Sequence, residues 1–511
     1  MLWLALHLPA LSFDAWAATL GAARAALPLA LLDGQRVAAV NPVARRLGVE
    51  PGSRRATALA LVPHLHCGRA DPRRDRQALQ ALAHAALAFT PMVSLDPGAG
   101  GPCVLLEVQP SLRCFGGLPR LQQRLLAAVT ALQPLELQHR LAAAPTAAAA
   151  ALFARWRADL ALGAHVADRG ALHALLAQAP LALLDATGAA AAALQDLGLH
   201  TVGQARRLPR NGLARRLGPQ LLLALDRAHG DAPDPRPPVR PQPGFSAHCE
   251  LAERADCSAQ LLAAAALLLA RLVAWAQAQH ARVGGFTLLL QHERRHRAET
   301  DAPGCTELGV ALAEPSNDPQ HLQLLLRERL ARLQLPAPTL QLRLRCDRLQ
   351  HGPAPNGELF PTPASADEGL ARLIERLQAR LGPQRVCSPV AVADHRPERA
   401  TAWVPADAPL AARPAAAGVP SEQAAPTRPV WLLEPPQPLP ERGGQPWLDG
   451  GALQLLAGPE RIEAGWWDGA PALRDYFVAR AADGALAWIY RLRPGGDAAV
   501  AGGWFLHGRF A

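Results

Sequence analysis

Arginine, histidine and a thin scatter of carboxylates are the side chains through which this chain could do chemistry. All 52 basic residues are arginine, against 43 acidic ones. Without lysine, Schiff-base catalysis and a Walker A phosphate loop are excluded. His292-Glu293-Arg294-Arg295-His296 has the spacing that holds zinc when both imidazoles share a helical face and a third ligand stands nearby. Here it continues the strand-like run Phe286 to Leu290, so helical spacing is lost. His64-Leu65-His66-Cys67 reads as surface, and the eight cysteines form no CxxC pair, so reduced buried thiols are expected. No metal centre or cofactor is expected from these groups. What remains are the carboxylates Asp14, Asp96 and Glu107, which would need to converge to hold divalent ions, and many guanidinium groups suited to phosphate.

The elements that must position these groups can be read in order. A chain of 511 residues should hold roughly three to five domains. Its longest apolar run, Leu261 to Ala270, is stopped by Arg271, short of the roughly 20 residues of a membrane span. The apolar N-terminus lacks a basic flank, so a buried first strand and a cytoplasmic protein are expected. Residues 1–155 alternate strands with Ala/Leu-rich helices, and 156–231 read as small helices. After a proline-rich linker at 232–243, residues 244–350 are patterned β-α-β-β-α-β. Their last strand alternates Leu340, Leu342, Leu344 and Cys346 against Gln341, Arg343, Arg345 and Asp347. A connector at 351–364 and a helix and connector at 365–403 follow, the helix carrying Leu370, Leu373, Ile374 and Leu377 on one face. Residues 404–446 read as an extended Pro/Ala-rich linker. Seven of the eleven tryptophans and both tyrosines lie beyond residue 400, so 447–511 is expected to fold as a small β-rich interaction module.

Leu6-His7-Leu8-Pro9-Ala10-Leu11-Ser12-Phe13, with Pro9 and Leu11 where metal-binding acids are expected, resembles the opening strand of Y-family translesion DNA polymerases. Ala44-Arg45-Arg46-Leu47-Gly48-Val49 resembles the family's fingers signature, placed in an insertion at about 16–70. Arg45 matches the triphosphate-gripping arginine, so it is a vestigial nucleotide-binding candidate. Val93-Ser94-Leu95-Asp96 resembles the start of the next acidic motif, whose glutamate is replaced by Pro97 and a glycine-rich insertion. Glu107 stands where its last acid could fall, and Ala147 takes the place of a conserved lysine. The resemblance implies an α+β multidomain fold of palm, fingers, thumb and little finger, here extended by the C-terminal module. It also implies that polymerase catalysis is lost, because one carboxylate cannot hold two ions about 3.5–4 Å apart. A residual magnesium ion is not expected.

Leu194 to Gly203 resembles a helix-hairpin-helix, in which Gly198 and Gly203 would turn backbone N–H groups toward a DNA phosphate, with Arg215 and Arg216 following. Arg343 and Arg345 would meet DNA from the open sheet face of the little finger. Asn356-Gly357-Glu358-Leu359-Phe360 resembles the pentapeptide that binds the bacterial DNA polymerase III sliding clamp, with Asn356, Glu358, Leu359 and Phe360 at its contact positions. The tail resembles that of catalytically degenerate family members in bacterial mutagenesis cassettes. The resemblance therefore implies a DNA-damage-induced adaptor of mutagenic translesion synthesis. It would bind primer-template DNA and the clamp, and recruit an error-prone alpha-type DNA polymerase and a RecA-like accessory protein. The alternatives are an active translesion polymerase with rearranged ligands (Asp14, Asp96, Glu107) and a DNA-binding repair protein that works without a clamp.

Overall fold

A computed structural model describes the chain except residues 21–23, 25, 99, 133–136, 158–159, 162–168, 185–188, 294–303, 353–362, 407–427, 430, 494–501 and 511, and only the backbone of 161, 169, 363–369 and 371. The described residues form two compact units, 1–380 and 381–511.

The first strand, β1 (Trp3–His7), is buried at all five positions. It is the centre of a sheet covered on both faces, which is why its sequence is apolar throughout rather than alternating. Antiparallel partners flank it: β6 (Cys103–Glu107) and β7 (Arg140–Ala144). β5 (Val93–Asp96) and β8 (Leu160–Ala161) complete the order β5-β6-β1-β7-β8. Leu4, Leu6, Val104 and Leu106 pack with Leu82, Leu121 and Leu125 of the helices Pro72–Leu87 and Leu118–Ala131. Trp3, Ala5 and Leu105 face the helix Ala147–Trp156 on the other side. This is the palm. The expected opening strand is shorter than its motif, because the backbone turns at Pro9 and Leu11 begins a helix, Leu11–Ala17.

The fingers are a three-stranded sheet of β2 (Leu29–Asp33), β3 (Arg36–Val40) and β4 (His66–Arg69), with two short helices around Ala30, Leu32, Val37, Ala44 and Ala58. Asn41 fixes their entry: its Oδ1 accepts N–H groups from Ala44 at 2.9 Å and Leu29 at 3.0 Å, capping the helix Pro42–Arg46. The thumb is a set of short helices packed through Leu172, Leu176, Leu194, Val202, Leu213 and Leu225.

In the little finger, β9 (Ser246–Ala255), β10 (Ala281–His292), β11 (Cys305–Ser316) and β12 (Thr339–His351) run in the order β11-β10-β12-β9. The helices Ser258–Ala278 and Pro319–Ala331 cover one face. Ser258–Ala278 is long and apolar enough to cross a membrane, but Leu261, Leu268, Leu272 and Trp275 are buried in this domain's core. Leu342 and Leu344 point inward as their alternation requires. Leu340 does not: it is 42% exposed, next to an irregularity in the β12–β9 register between Thr339 and Gln341.

The helix Pro363–Leu381 inverts the usual pattern. Leu370, Leu373 and Leu377 are exposed while Glu375 and Gln378 are buried. Glu375 explains the orientation: its Oε1 accepts the backbone N–H groups of Ala313 and Glu314 on edge strand β11, and Oε2 pairs with His321 at 2.7 Å. The helix thus closes a sheet edge that would otherwise expose unpaired donors.

In the second unit, β13 (Cys387–Ala391) and β14 (Thr401–Pro405) form a hairpin. A five-stranded antiparallel sheet has the order β15-β22-β21-β20-β19, from β15 (Trp431–Leu439) and β22 (Trp504–Arg509) through β21 (Leu486–Leu492) and β20 (Ala472–Arg480) to β19 (Gln454–Ala464). The span 404–446 was expected as an extended linker, but β15 lies within it and pairs with β22. Prolines are tolerated there because β15 is an edge strand. One sheet face holds Leu439, Ile489, Trp504 and Leu506, and the other Tyr476, Trp488 and Tyr490, with Tyr476 stacked on Trp488 at 4.1 Å. The eight cysteines are free thiols: Cys103 and Cys249 are buried, whereas Cys114, Cys257 and Cys305 are exposed rather than buried as expected.

Candidate functional site

Strand register places Asp96, Cys103, His7 and Arg140 in one row across the palm sheet, at the end where β1 leads into Pro9. Asp96 is the carboxylate the sequence retains, and arginines take up both of its oxygens. Arg155, from the helix Ala147–Trp156, donates Nη1 to Oδ2 at 2.9 Å, and its Nη2 reaches the Asp96 carbonyl at 3.2 Å. Arg236, from the linker after the thumb, donates to Oδ1 at 3.2 Å and to Asp234 at 2.9 Å. Arg155 Nε also donates to the Gly101 carbonyl at 3.0 Å, and its side chain is only 4% exposed. The glycine-rich insertion has a structural reason here. A Cβ on Gly98 would stand 2.8 Å from the Arg155 guanidinium, and Gly101 has a φ of +110°. His7, buried, meets the Gly100 carbonyl through Nε2 at 2.8 Å, and burial lowers its pKa.

Divalent ions do not fit this site. Pro9 is exposed and offers no ligand, Leu11 is buried in its helix, Pro97 is exposed, and Ala147 begins a buried helix. Glu107 pairs with Trp3 at the opposite end of β6 from Cys103, the neighbour of Asp96. Four residue steps along β6 carry Glu107 about 13 Å from that row. Glu107 therefore does not stand beside Asp96 in that row. Asp14 lies on a helix, buried, and its Oδ2 accepts the Gln138 N–H at 3.1 Å; burial pushes its pKa up to about 7. The three carboxylates thus do not converge as the rearranged-ligand alternative requires. Among the described residues no three His, Cys, Asp or Glu side chains are grouped. His292, at the end of β10, spends both ring nitrogens on the hydroxyls of Thr306 and Thr339, while His296 lies outside the described residues.

The other candidates separate by exposure. Arg45 is exposed on the fingers helix Pro42–Arg46. Arg215 and Arg216 are exposed on the thumb helix Arg210–Leu217. Arg343 and Arg345 stand on the open face of β12, with Arg343 Nε donating to Ser246 at 3.0 Å. Gly198 is a correction. The N–H groups of Leu197, Gly198, Leu199, His200, Thr201 and Val202 are all donated within the protein: the first three go to the carbonyls of Leu194 and Gln195 and close the helix Ala189–Gln195, the next two go to the Gln204 side chain, and the last goes to the Ala179 carbonyl. This turn has no backbone donors left for a phosphate from those residues. Gly203 meets a packing need, since a Cβ there would lie 2.8 Å from Ala177. The pentapeptide residues Asn356, Glu358, Leu359 and Phe360 fall outside the described residues. Sequence reasoning missed Arg155 and Arg236: nothing in an isolated arginine marks it as the partner of a carboxylate 59 or 140 positions away.

No family model matches the chain. Among solved structures it resembles a ternary complex of Dbh at 14% identity and a TM-score of 0.37, and a post-insertion binary complex of Dbh DNA polymerase at 14% and 0.35. Each match spans 69% of this chain and all of the other. Overlaps this slight carry no argument. Protein ImuB from Caulobacter vibrioides, in strains NA1000 / CB15N and ATCC 19089 / CIP 103742 / CB 15, is 32% identical over 485 residues. That match spans 91% of this chain and the full length of the relative. Identity at that level, sustained over nine-tenths of this chain and the whole of the relative, means that the chain belongs to the ImuB family.

Proposed function

We propose that this protein is a non-catalytic adaptor of damage-induced translesion synthesis. The observation that carries the reading is Asp96, whose two oxygens are bound by Arg155 and Arg236. A carboxylate neutralised by two guanidinium groups has little left to offer a divalent ion, and the acids that would share one lie elsewhere. The palm then serves as frame. In this role the protein needs no metal or cofactor and acts in the cytoplasm.

The surfaces that support an adaptor role lie outside the palm. Exposed Arg343 and Arg345 on the little finger, and Arg215 and Arg216 on the thumb, suit the phosphates of a primer-template. Leu359 and Phe360 would fill the apolar pocket of the DNA polymerase III sliding clamp, with Asn356 and Glu358 flanking them. In the second unit Trp403, Trp431, Trp466 and Trp467 are 54–80% exposed, an aromatic surface suited to protein partners. We assign to it the recruitment of an error-prone alpha-type DNA polymerase and of a RecA-like accessory protein of the ImuA kind.

The clamp assignment is tested by co-elution of purified protein and clamp. Leu359→Ala with Phe360→Ala is expected to abolish the complex while leaving circular dichroism and DNA binding unchanged. A double variant that still co-elutes removes the clamp from the reading.

A further inference from the structure

Arg271 lies two-thirds along the most apolar helix of the chain, Ser258–Ala278, and is only 4% exposed. Among the described residues it forms no ion pair. Its recorded side-chain hydrogen bond is a long one, 3.5 Å from Nη1 to Gln77 Oε1. The Gln77 amide is oriented by His248, whose Nδ1 lies 2.7 Å from Nε2, so the amide oxygen is turned toward the guanidinium. Burial lowers the pKa of Arg271, and the neighbouring Arg74 lowers it further. A buried guanidinium without a carboxylate is costly, and native proteins place one where a counter-charge arrives.

Space for such a counter-charge adjoins it. A cavity of about 830 Å³ lies between the fingers, the palm helix Pro72–Leu87 and the little finger, lined by Arg271, Arg74, Arg69, Arg73, His66 and His248 among others. Arg74 is also mostly buried: its Nε has no hydrogen-bond partner and is ion-paired with Asp75 only at 3.6 Å, while its Nη2 donates to the carbonyls of Arg69 at 3.1 Å and Ser12 at 3.4 Å. Three acids share the lining, but two are engaged: Asp71 caps its helix through the Arg73 N–H, and Glu253 is paired with Arg24; Glu250 is exposed.

We propose that this cavity is a phosphate-binding site, with Arg271 as the buried counter-charge and Arg74 and His248 as its walls. The size of the cavity and its several donors fit a phosphate carried on a larger body, either a free pyrophosphate or nucleotide or the phosphodiester of a nucleic-acid strand. Only the strand source rests on the DNA-binding role proposed above.

The test uses the full chain in buffers of matched ionic strength. Melting temperature and equilibrium binding are measured with inorganic pyrophosphate and, separately, with a labelled single-stranded oligonucleotide. Native protein, Arg271→Met, Arg74→Met and Arg343→Ala/Arg345→Ala are compared. Without anion, Arg271→Met is expected to melt no lower than native protein, because it removes an uncompensated buried charge. Pyrophosphate should raise the native melting temperature by about 2–6 °C, and Arg271→Met and Arg74→Met should each weaken binding roughly 10- to 100-fold. A response to oligonucleotide alone, lost in Arg271→Met, assigns the site to a strand. Loss of oligonucleotide binding only in Arg343→Ala/Arg345→Ala would locate DNA contact on the little-finger face and leave the pyrophosphate result to decide the cavity. Equal responses in native protein and both cavity variants, or no native response to either probe, would overturn the proposal.

Discussion

Arginine does opposite work at the palm row around Asp96 and on the open face of β12. At the palm, Arg155 and Arg236 point inward and spend their charge on the protein's own carboxylate. On β12, Arg343 and Arg345 stand in solvent, and among the described residues neither forms an ion pair. The difference is one of desolvation. A guanidinium buried beside the protein's own carboxylate spends its charge there, whereas an exposed one keeps its charge for a polyanion. The palm row and the basic surface depend on different elements, so one can change without the other.

The comparison breaks most visibly at Arg155. Arg155→Met should destabilise the first unit by about 2–4 kcal/mol in urea unfolding, since it removes one of the two guanidinium groups that hold Asp96 and leaves the Asp96 and Gly101 carbonyls without their donor. Joint replacement with Asp96→Leu should recover most of the loss, which a double-mutant cycle would read. Arg343→Met, by contrast, should leave stability within about 0.5 kcal/mol.

Asp14 sharpens the contrast, being a buried carboxylate that no guanidinium neutralises among the described residues. Its folded pKa of about 7 lies above its ordinary value of 3.8. The native state therefore holds this proton more tightly, and the associated stability is full below pH 3.8 and is lost as pH rises through 7. Asp14→Asn should then stabilise the protein by about 2–4 kcal/mol at pH 8 and by almost nothing at pH 3.5, as unfolding curves at the two pH values will show. A uniform effect across pH would mean that the amide acts through packing alone.

Arg343→Ala with Arg345→Ala is the gentlest change to the fold. DNA affinity should fall for all sequences alike, and the slope of log affinity against log salt should drop by about two, one per phosphate contact. An unchanged slope would move the DNA contact to another face.

Much of the frame was legible because periodicity carries it. The β-α-β-β-α-β order, the buried first strand and the inward Leu342 and Leu344 follow from apolar spacing that the structure obeys. Where tertiary contacts outrank spacing, reading fails. The helix Pro363–Leu381 exposes its leucines because Glu375 answers the donors of β11, a demand invisible from residues 363–381 alone. β15 was hidden by its prolines, which an edge strand accepts. At the palm, the retained Asp96 was readable as the one surviving acid. Its saturation was not, because Arg155 and Arg236 reach it only after the helix and the linker have folded against the sheet.

Primer extension with magnesium or manganese tests the central claim most directly, using purified native protein, Asp96→Ala and an active Y-family enzyme on one primer-template. The account predicts no incorporation by native protein that still binds the primer-template. Incorporation by native protein that disappears in Asp96→Ala would contradict it, and would require Arg155 and Arg236 to release Asp96 to a metal ion.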